Sequence, residues 1–497
     1  MIIFYVCNFD RIREPSVVFF VFGYILLLVT LLFFTADSAL ALGQPTRSVY
    51  SGVLHGKHPL TIISLIPPHQ YQKEIIPEGN IFHHKPGTPH SYWDALQGHI
   101  VLETGIAGNP WTTSGRNFGQ YYDDRANTIT LNQIMGTLFH PVEDIGHGYG
   151  IGFTLQSLYG SDGRFDPTAG IASHTFSTID QWVPTQAHLD VRFPWLFKRG
   201  IDVQLGLMYG LLDSEGTPAL ERPFYTVNYA TDYISPFETV SAAAWLHVTR
   251  KMDILLDIDA GDSVTFGRYG NNKRPKGYFG LLWNNLLNGR FDFHIIGRFG
   301  PEGNNGPTYR VGPWTSAGVG PIANDKMQYN GDFLARYRIN KKMRVSAIGT
   351  FLLDDLTNED AYGVTGYFAY DINRLLTFNA RVEVFRDNSG GAIVEYVGPT
   401  SYTKYLTNRA YPYYDAPPTT YSDFTIGVTY KPEFINKRTK GYGQLYLRPE
   451  IRLDKSLNGT RPFNKAAIPT AANHYDPVVR DGTNNMLWFS CDAIWAY

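Results

Sequence analysis

Beyond residue 34 the sequence contains no second long apolar run. A helix needs about 20 mostly apolar residues to cross a hydrocarbon core, so a bundle of membrane-spanning helices is excluded. Cysteine is nearly missing. Cys7 lies ahead of the one apolar run and Cys491 stands alone near the end, which rules out a disulfide framework and a cysteine-based metal site. Neither sign of charge is in marked excess: 43 basic residues meet 45 acidic ones, a net charge of -2. The basic residues are spread along the chain, so nothing points to nucleic acid or to an acidic lipid surface. What the chain does have is aromatic residues, 15% of the total, among them 33 Tyr and 31 Phe. Such a chain can hide its apolarity only by alternating it with polar residues.

The one apolar run is an export signal. Arg11 and Arg13 precede the stretch from Val17 to Phe34, and the small residues Ser38, Ala39 and Ala41 follow it. This is the pattern of a signal peptide cleaved after Ala41, with an uncleaved anchor as the competing reading. Residues 42–95 are rich in Pro and His, with little period-2 pattern, and read as an irregular periplasmic lead-in or partial plug. His55, His58, His83, His84 and His90 have neither the spacing nor the carboxylate neighbours of a metal site.

From residue 96 to residue 497 the chain falls into segments of roughly ten residues with alternating apolarity, the signature of transmembrane strands. Met327, Tyr329, Phe333, Ala335, Tyr337 and Ile339 share one face of a segment, and Gln328, Asn330, Asp332, Arg336 and Arg338 share the other. Ile201, Val203, Leu205 and Leu207 similarly oppose Asp202 and Gln204, while Leu376, Phe378, Ala380, Val382 and Val384 oppose Thr377, Asn379, Arg381 and Glu383. The segments are longer than the strands of most soluble sandwiches. Short turns near 197–200, 250–251, 288–289, 340–342 and 373–374 alternate with long connections near 211–237, 261–276, 300–325, 387–420 and 454–483. Asn288-Gly289 has the composition of a two-residue hairpin turn.

The fold class expected is therefore all-β, a transmembrane antiparallel β-barrel with short periplasmic turns and long extracellular loops. Strands are expected near residues 96, 130, 150, 190, 205, 243, 256, 282, 295, 332, 348, 366, 380, 426, 447 and 490. About 16 strands leave an aqueous lumen, whereas about eight would fill with side chains. The last strand carries Leu487, Phe489, Cys491, Ala493, Trp495 and Tyr497 on its apolar face and ends on an aromatic residue. It resembles the signal read by the barrel-assembly machinery.

Three stretches carry a family likeness. Arg222-Pro223-Phe224-Tyr225 leads to Ser235-Pro236-Phe237; Arg381-Val382-Glu383-Val384-Phe385-Arg386-Asp387 is closed by Gly390; Leu447-Arg448-Pro449-Glu450-Ile451-Arg452-Leu453-Asp454 is followed by Pro462-Phe463. Over most of residues 95–497 the chain resembles the beta-barrel porin-2 family of OmpL-like outer-membrane porins. The resemblance implies a channel for passive diffusion of small hydrophilic solutes or ions, set in outer-membrane lipid, with no catalytic residues to carry across. A non-channel barrel, structural, adhesive or lipid-modifying, is the alternative, and assembly into a homo-oligomer is left open.

No nucleophile with a base, no cofactor motif and no convergent metal ligands stand out. Asp253, Asp257 and Asp259 share one strand face and Asp354-Asp355 and Glu359-Asp360 crowd a loop, but calcium needs six to eight converging oxygens. The glycines of 261–270 and 300–306 lack the strand-to-helix setting of a nucleotide site. The residues singled out line the pore instead. Arg336, Arg338, Arg344, Arg381, Arg448 and Arg452 fall on water-facing sides, with Glu383, Glu450 and Asp332 on the same faces. Opposed charges of this kind tune selectivity in channels.

Overall fold

The computed structural model describes Trp93 and residues 96–497, except 113–114, 143–148, 173–177, 196–198, 213–214, 266–273, 304–319, 397–401, 403–412, 415–416, 434, 436–442 and 465–481. The chain divides into two compact units, Met1–Gly56 and Lys57–Tyr497, and every described residue belongs to the second. The expected export signal and nearly all of residues 42–95 thus lie outside the described residues.

The strands are β1 (Gln97–Gly108), β2 (Ile129–His140), β3 (Gly150–Gly160), β4 (Gln181–Phe193), β5 (Ile201–Tyr209), β6 (Glu238–Leu246), β7 (Met252–Asp259) and β8 (Gly277–Asn285). They continue as β9 (Phe291–Pro301), β10 (Met327–Arg338), β11 (Met343–Asp354), β12 (Glu359–Asn373), β13 (Leu376–Asp387), β16 (Thr419–Tyr430), β17 (Gln444–Ser456) and β18 (Asn485–Ala496). The two-residue strands β14 (Val394–Glu395) and β15 (Tyr413–Tyr414) pair with each other in a loop. The other sixteen form one closed barrel in which each strand lies antiparallel beside its neighbour in the chain. All sixteen expected strands are present.

Closure is made by β1 against β18, from Val101 opposite Ala496 to Gly108 opposite Phe489. The final residue completes it: Tyr497 and Ile100 exchange backbone hydrogen bonds at 2.8 and 2.9 Å. A closed sheet has no free edge, so every strand finds backbone partners on both sides. The alternation read from the sequence separates the two faces. Val382, Val384, Ile451 and Phe489 are exposed on the outside, whereas Arg381, Glu383, Arg452 and Asp492 are buried on the inside. A soluble sandwich would place them the other way round.

Two bulges re-aim inner side chains. Between β1 and β2 the register steps past Asn132, so Asn132 and Gln133 both point inward and donate to the two oxygens of Asp162, at 3.0 and 2.9 Å. Between β3 and β4 it steps past Thr185, beside Pro184, and Thr185 and Gln186 both donate to Gln156 Oε1. Proline is accepted in a strand at such a bulge.

The connections depart from strict alternation at two places. On the long-loop side, β11 and β12 are joined by 355–358 alone, a tight turn capped by Asp354, which accepts from the backbone N–H groups of Leu356 and Thr357. On the short-turn side, β16 and β17 are joined by the longer 431–443. The turn expected at Asn288-Gly289 is also longer. It occupies 286–290, with Leu287, Asn288 and Gly289 all in the left-handed region, a costly conformation for Leu287.

Candidate functional site: a charged wall and an inner lining

The described residues of the connection between β5 and β6, 210–212 and 215–237, do not stand outside the barrel. Their partners are inward side chains of strands far around the wall, met in order. Gln133 of β2 donates to the Thr217 carbonyl at 2.6 Å and accepts from Ala219 N–H at 3.2 Å. Glu103 of β1 holds Arg222 at 3.0 Å. Arg448 of β17 donates to the carbonyls of Ala219 and Arg222, at 2.9 and 2.5 Å. Glu450, also of β17, accepts the N–H groups of Tyr225 and Thr226, at 2.8 and 3.2 Å.

The path continues along the same direction. Arg381 of β13 donates to the Thr226 carbonyl at 2.7 Å and Arg452 of β17 to that of Val227 at 2.5 Å. Glu383 of β13 accepts from Tyr229 and Ala230 N–H at 2.8 and 3.0 Å, at the start of a one-turn helix, Tyr229–Tyr233. Asn228 caps that helix by accepting from Thr231 N–H, and its amide donates to Tyr367 of β12. Asn330 of β10 donates to the Ile234 carbonyl at 2.9 Å, and the chain re-enters the wall at β6. The segment therefore makes a circuit of the inner wall, from β5 by way of β2, β1, β17, β13, β12 and β10 to β6.

The chemistry of the wall follows from this path. An irregular segment inside a barrel has no ladder to satisfy its N–H and C=O groups, and each orphan would be costly. Arginines meet the carbonyls and glutamates meet the amides, through charge-assisted hydrogen bonds. The wall charges are paired as well. Arg448 is bonded to Asp492 and Glu103, Arg381 to Asp423 and Glu215, and Arg452 to Asp454. Arg222 stacks over Tyr122 and Arg452 over Tyr229 and Trp488.

Apolar contacts fix the lining further. Tyr225, Tyr229, Ala230 and Ile234 pack with wall residues Phe385, Tyr421 and Trp488, and with Phe118, Ile393 and Phe463 from three other loops. Tyr121 stacks on Phe165 at 4.8 Å and meets Tyr233, Phe237 and Tyr396 edge-on or tilted. Elsewhere Leu211 and Leu212 rest on an inward apolar seam of Trp245, Leu255, Leu282 and Ile296.

Burial shapes the titration of the loop groups. Burial alone would lower the Arg222 pKa, but Glu103 and Asp162 hold it above its ordinary value. Burial lifts Asp162 to about 6 against the pull of Arg222. Burial, with Asp162 adding to it, lifts Asp166 to about 8. Asp166 accepts from Tyr122 and Thr217 hydroxyls, both at 3.1 Å.

The residues singled out from sequence thus fall into two groups. Arg381, Glu383, Arg448, Glu450 and Arg452 point inward and hold the lining. Arg336, Arg338 and Arg344 lie at the short-turn end, away from it, where Arg336 pairs with Asp292 at 3.0 Å and Arg344 with Asp371 at 2.6 Å. Asp332 is buried between the groups. Glu103, Arg222, Asp423 and Asp492 escaped the reading of the sequence, although Arg222 stands in one of the stretches that carry the family likeness. Among the described residues no group of three or more His, Cys, Asp or Glu is arranged to hold a metal ion.

A closed sixteen-stranded antiparallel barrel, apolar outside and charged within, defines the porin class of fold. The family described as "Putative beta-barrel porin-2, OmpL-like" matches residues 96–474, and the chain belongs to it. The protein is an outer-membrane porin, a channel for passive diffusion of small hydrophilic solutes. Its short turns are therefore periplasmic and its long connections extracellular.

No curated protein matches the sequence. Among solved structures, the outer membrane channel DcaP of Acinetobacter baumannii is similar at 10% identity, covering 81% of this chain and 96% of its own, with a TM-score of 0.46. The anion-selective porin from Comamonas acidovorans is similar at 10% identity, covering 81% and 99%, with a TM-score of 0.45. OprB of Pseudomonas putida is similar at 12% identity, covering 81% and 94%, with a TM-score of 0.46.

Proposed function

We propose that the solute path of this porin is set by the inner lining, and that the charged residues act on it in two ways. Arg336, Arg338 and Arg344 line the periplasmic mouth and touch the passing solute or ion. Arg381, Glu383, Arg448, Glu450 and Arg452 act indirectly, by fixing where residues 217–234 stand. The observation that carries this reading is the run of wall-to-backbone hydrogen bonds from Arg448 and Glu450 to Glu383. The chain is exported through a signal peptide, residues 1–41, with 42–95 as a periplasmic lead-in, and its final strand is read by the assembly machinery. The role is transport, without catalysis.

The test is single-channel conductance in planar bilayers, comparing the mature protein with a variant in which 217–234 is replaced by a short Gly-Ser linker. The intact protein should give small steps and the variant larger ones. Steps of equal size would remove the lining from the solute path, and silence of both proteins would point to a closed, non-channel barrel.

A further inference from the structure

We propose that the periplasmic end of the barrel carries a basic arc that binds the anionic headgroups of phospholipids in the inner leaflet of the outer membrane. Basic residues that are scattered in the sequence are gathered by the fold. The described ends of the β4–β5 connection, Pro194, Trp195, Arg199 and Gly200, and the turns 247–251, 286–290, 339–342 and 374–375 join successive strand pairs from β4 to β13, so they stand side by side along one arc of the rim. They carry Arg199, Arg250 and Lys251, Arg290, Lys341 and Lys342, and Arg374, and none of them holds an Asp or Glu. All but Arg199, which is half-buried, are exposed.

The acids nearest the arc are engaged in other contacts. Asp202 and Asp253 hold His247, Asp292 holds Arg336 and Asp371 holds Arg344, all within the barrel mouth. Glu433, on the next turn, pairs with Arg374. The arc therefore keeps a net positive charge facing outward and downward.

Its depth selects the partner. Four of these connections lie beside exposed apolar side chains: Trp195, Leu287, Ile339 and Ile372 stand next to the basic residues. Trp, Leu and Ile at that level mark the edge of the hydrocarbon. Lys and Arg stems reach from there along apolar surface to place their charge among the headgroups. Anionic lipid attracts clustered Lys and Arg at this distance and loses its hold within a Debye length.

The experiment uses the mature protein refolded in phosphatidylethanolamine bilayers doped with brominated phosphatidylglycerol or, at equal mole fraction, brominated phosphatidylethanolamine. Quenching of intrinsic tryptophan fluorescence is the readout. Phosphatidylglycerol should quench several-fold more strongly at low salt, and the difference should vanish at high salt. It should also vanish in the quadruple variant R250Q, K251Q, K341Q, K342Q, with gel mobility and conductance unchanged as the check on folding. Equal quenching by the two lipids in the unmodified protein, or a preference that survives in the variant, overturns the proposal. So does a variant that keeps its lipid preference but no longer co-sediments with isolated peptidoglycan, which would assign the arc to the cell wall.

Discussion

Glu103 on β1 and Arg222 on the inner lining meet at 3.0 Å with both side chains sealed from solvent. The other oxygen of Glu103 takes Arg448 at 3.1 Å, so one carboxylate joins a cation of the lining to a cation of the wall. Removing it leaves Arg222, among the described residues, with Asp162 at 3.7 Å as its remaining acidic partner. Breaking such a buried pair costs about 3–5 kcal/mol. Glu103→Gln should therefore loosen the lining before it unfolds the barrel. Chymotrypsin should cut after Phe224 or Tyr225 in the variant and spare the unmodified protein there; equal resistance would show that the pair is not what seats the lining there.

The Arg381→Ala, Arg448→Ala double variant removes the donors to the Ala219, Arg222 and Thr226 carbonyls. The expected result is larger and noisier conductance with little change in the anion-to-cation permeability ratio. Arg336→Gln with Arg344→Gln, at the mouth, should shift that ratio and leave the step size nearly unchanged. Bilayer recordings under a salt gradient read both quantities. The opposite pattern would exchange the roles given to the two groups.

The outer face is tested by charge. Val203 and Ile295 lie on the membrane side of β5 and β9, and an arginine at either should cost about 2–4 kcal/mol near the bilayer midplane. Asp202, one position from Val203, is a poor control because it holds both Arg192 and His247. Val203→Leu serves better and should be nearly neutral. Urea titration of folding into vesicles gives the difference; a neutral Val203→Arg would mean that this strand is turned the other way.

His247, in the turn after β6, has one ring nitrogen on Asp253 at 2.8 Å and the other on Asp202 at 3.0 Å. Burial would push its pKa down, but the two carboxylate bonds carry it up to about 9. Both nitrogens must donate, so the ring is doubly protonated. A raised histidine pKa contributes stability that is full below its ordinary value of about 6.5 and is lost as pH rises through about 9. The unmodified barrel should lose stability across that window, and His247→Gln should flatten the loss. Parallel curves would place the pH dependence elsewhere.

The barrel was legible because strand side chains have a period of two and the two faces meet opposite solvents. The run from Leu376 to Glu383 shows this without help from any neighbour. Where the inner face is also apolar the signal fades: Leu255 lies within Ile254-Leu255-Leu256, and Ile296 follows Ile295, so the seam under Leu211 and Leu212 reads as unbroken hydrophobicity. The lining was not legible. Glu383 reaches Tyr229 across some 150 residues and binds its backbone, which every residue type possesses, so no side-chain pattern in 217–234 announces the contact. What the sequence did show was the charge on the wall, without its purpose.

The circuit made by 210–237 also orders events in time. Tyr225 waits for Glu450 and Tyr229 for Asp454, each 225 positions later in the chain. Contacts so distant in sequence form late, because the intervening chain must be brought in first. The lining is translocated early, yet its backbone finds partners only once β13 and β17 have arrived. Until then its amides and carbonyls need water, which the periplasm and an open, unfinished sheet provide. The seam between β1 and β18 should therefore close last, around a lining already in place, and a variant that hastens that closure would trap 210–237 outside.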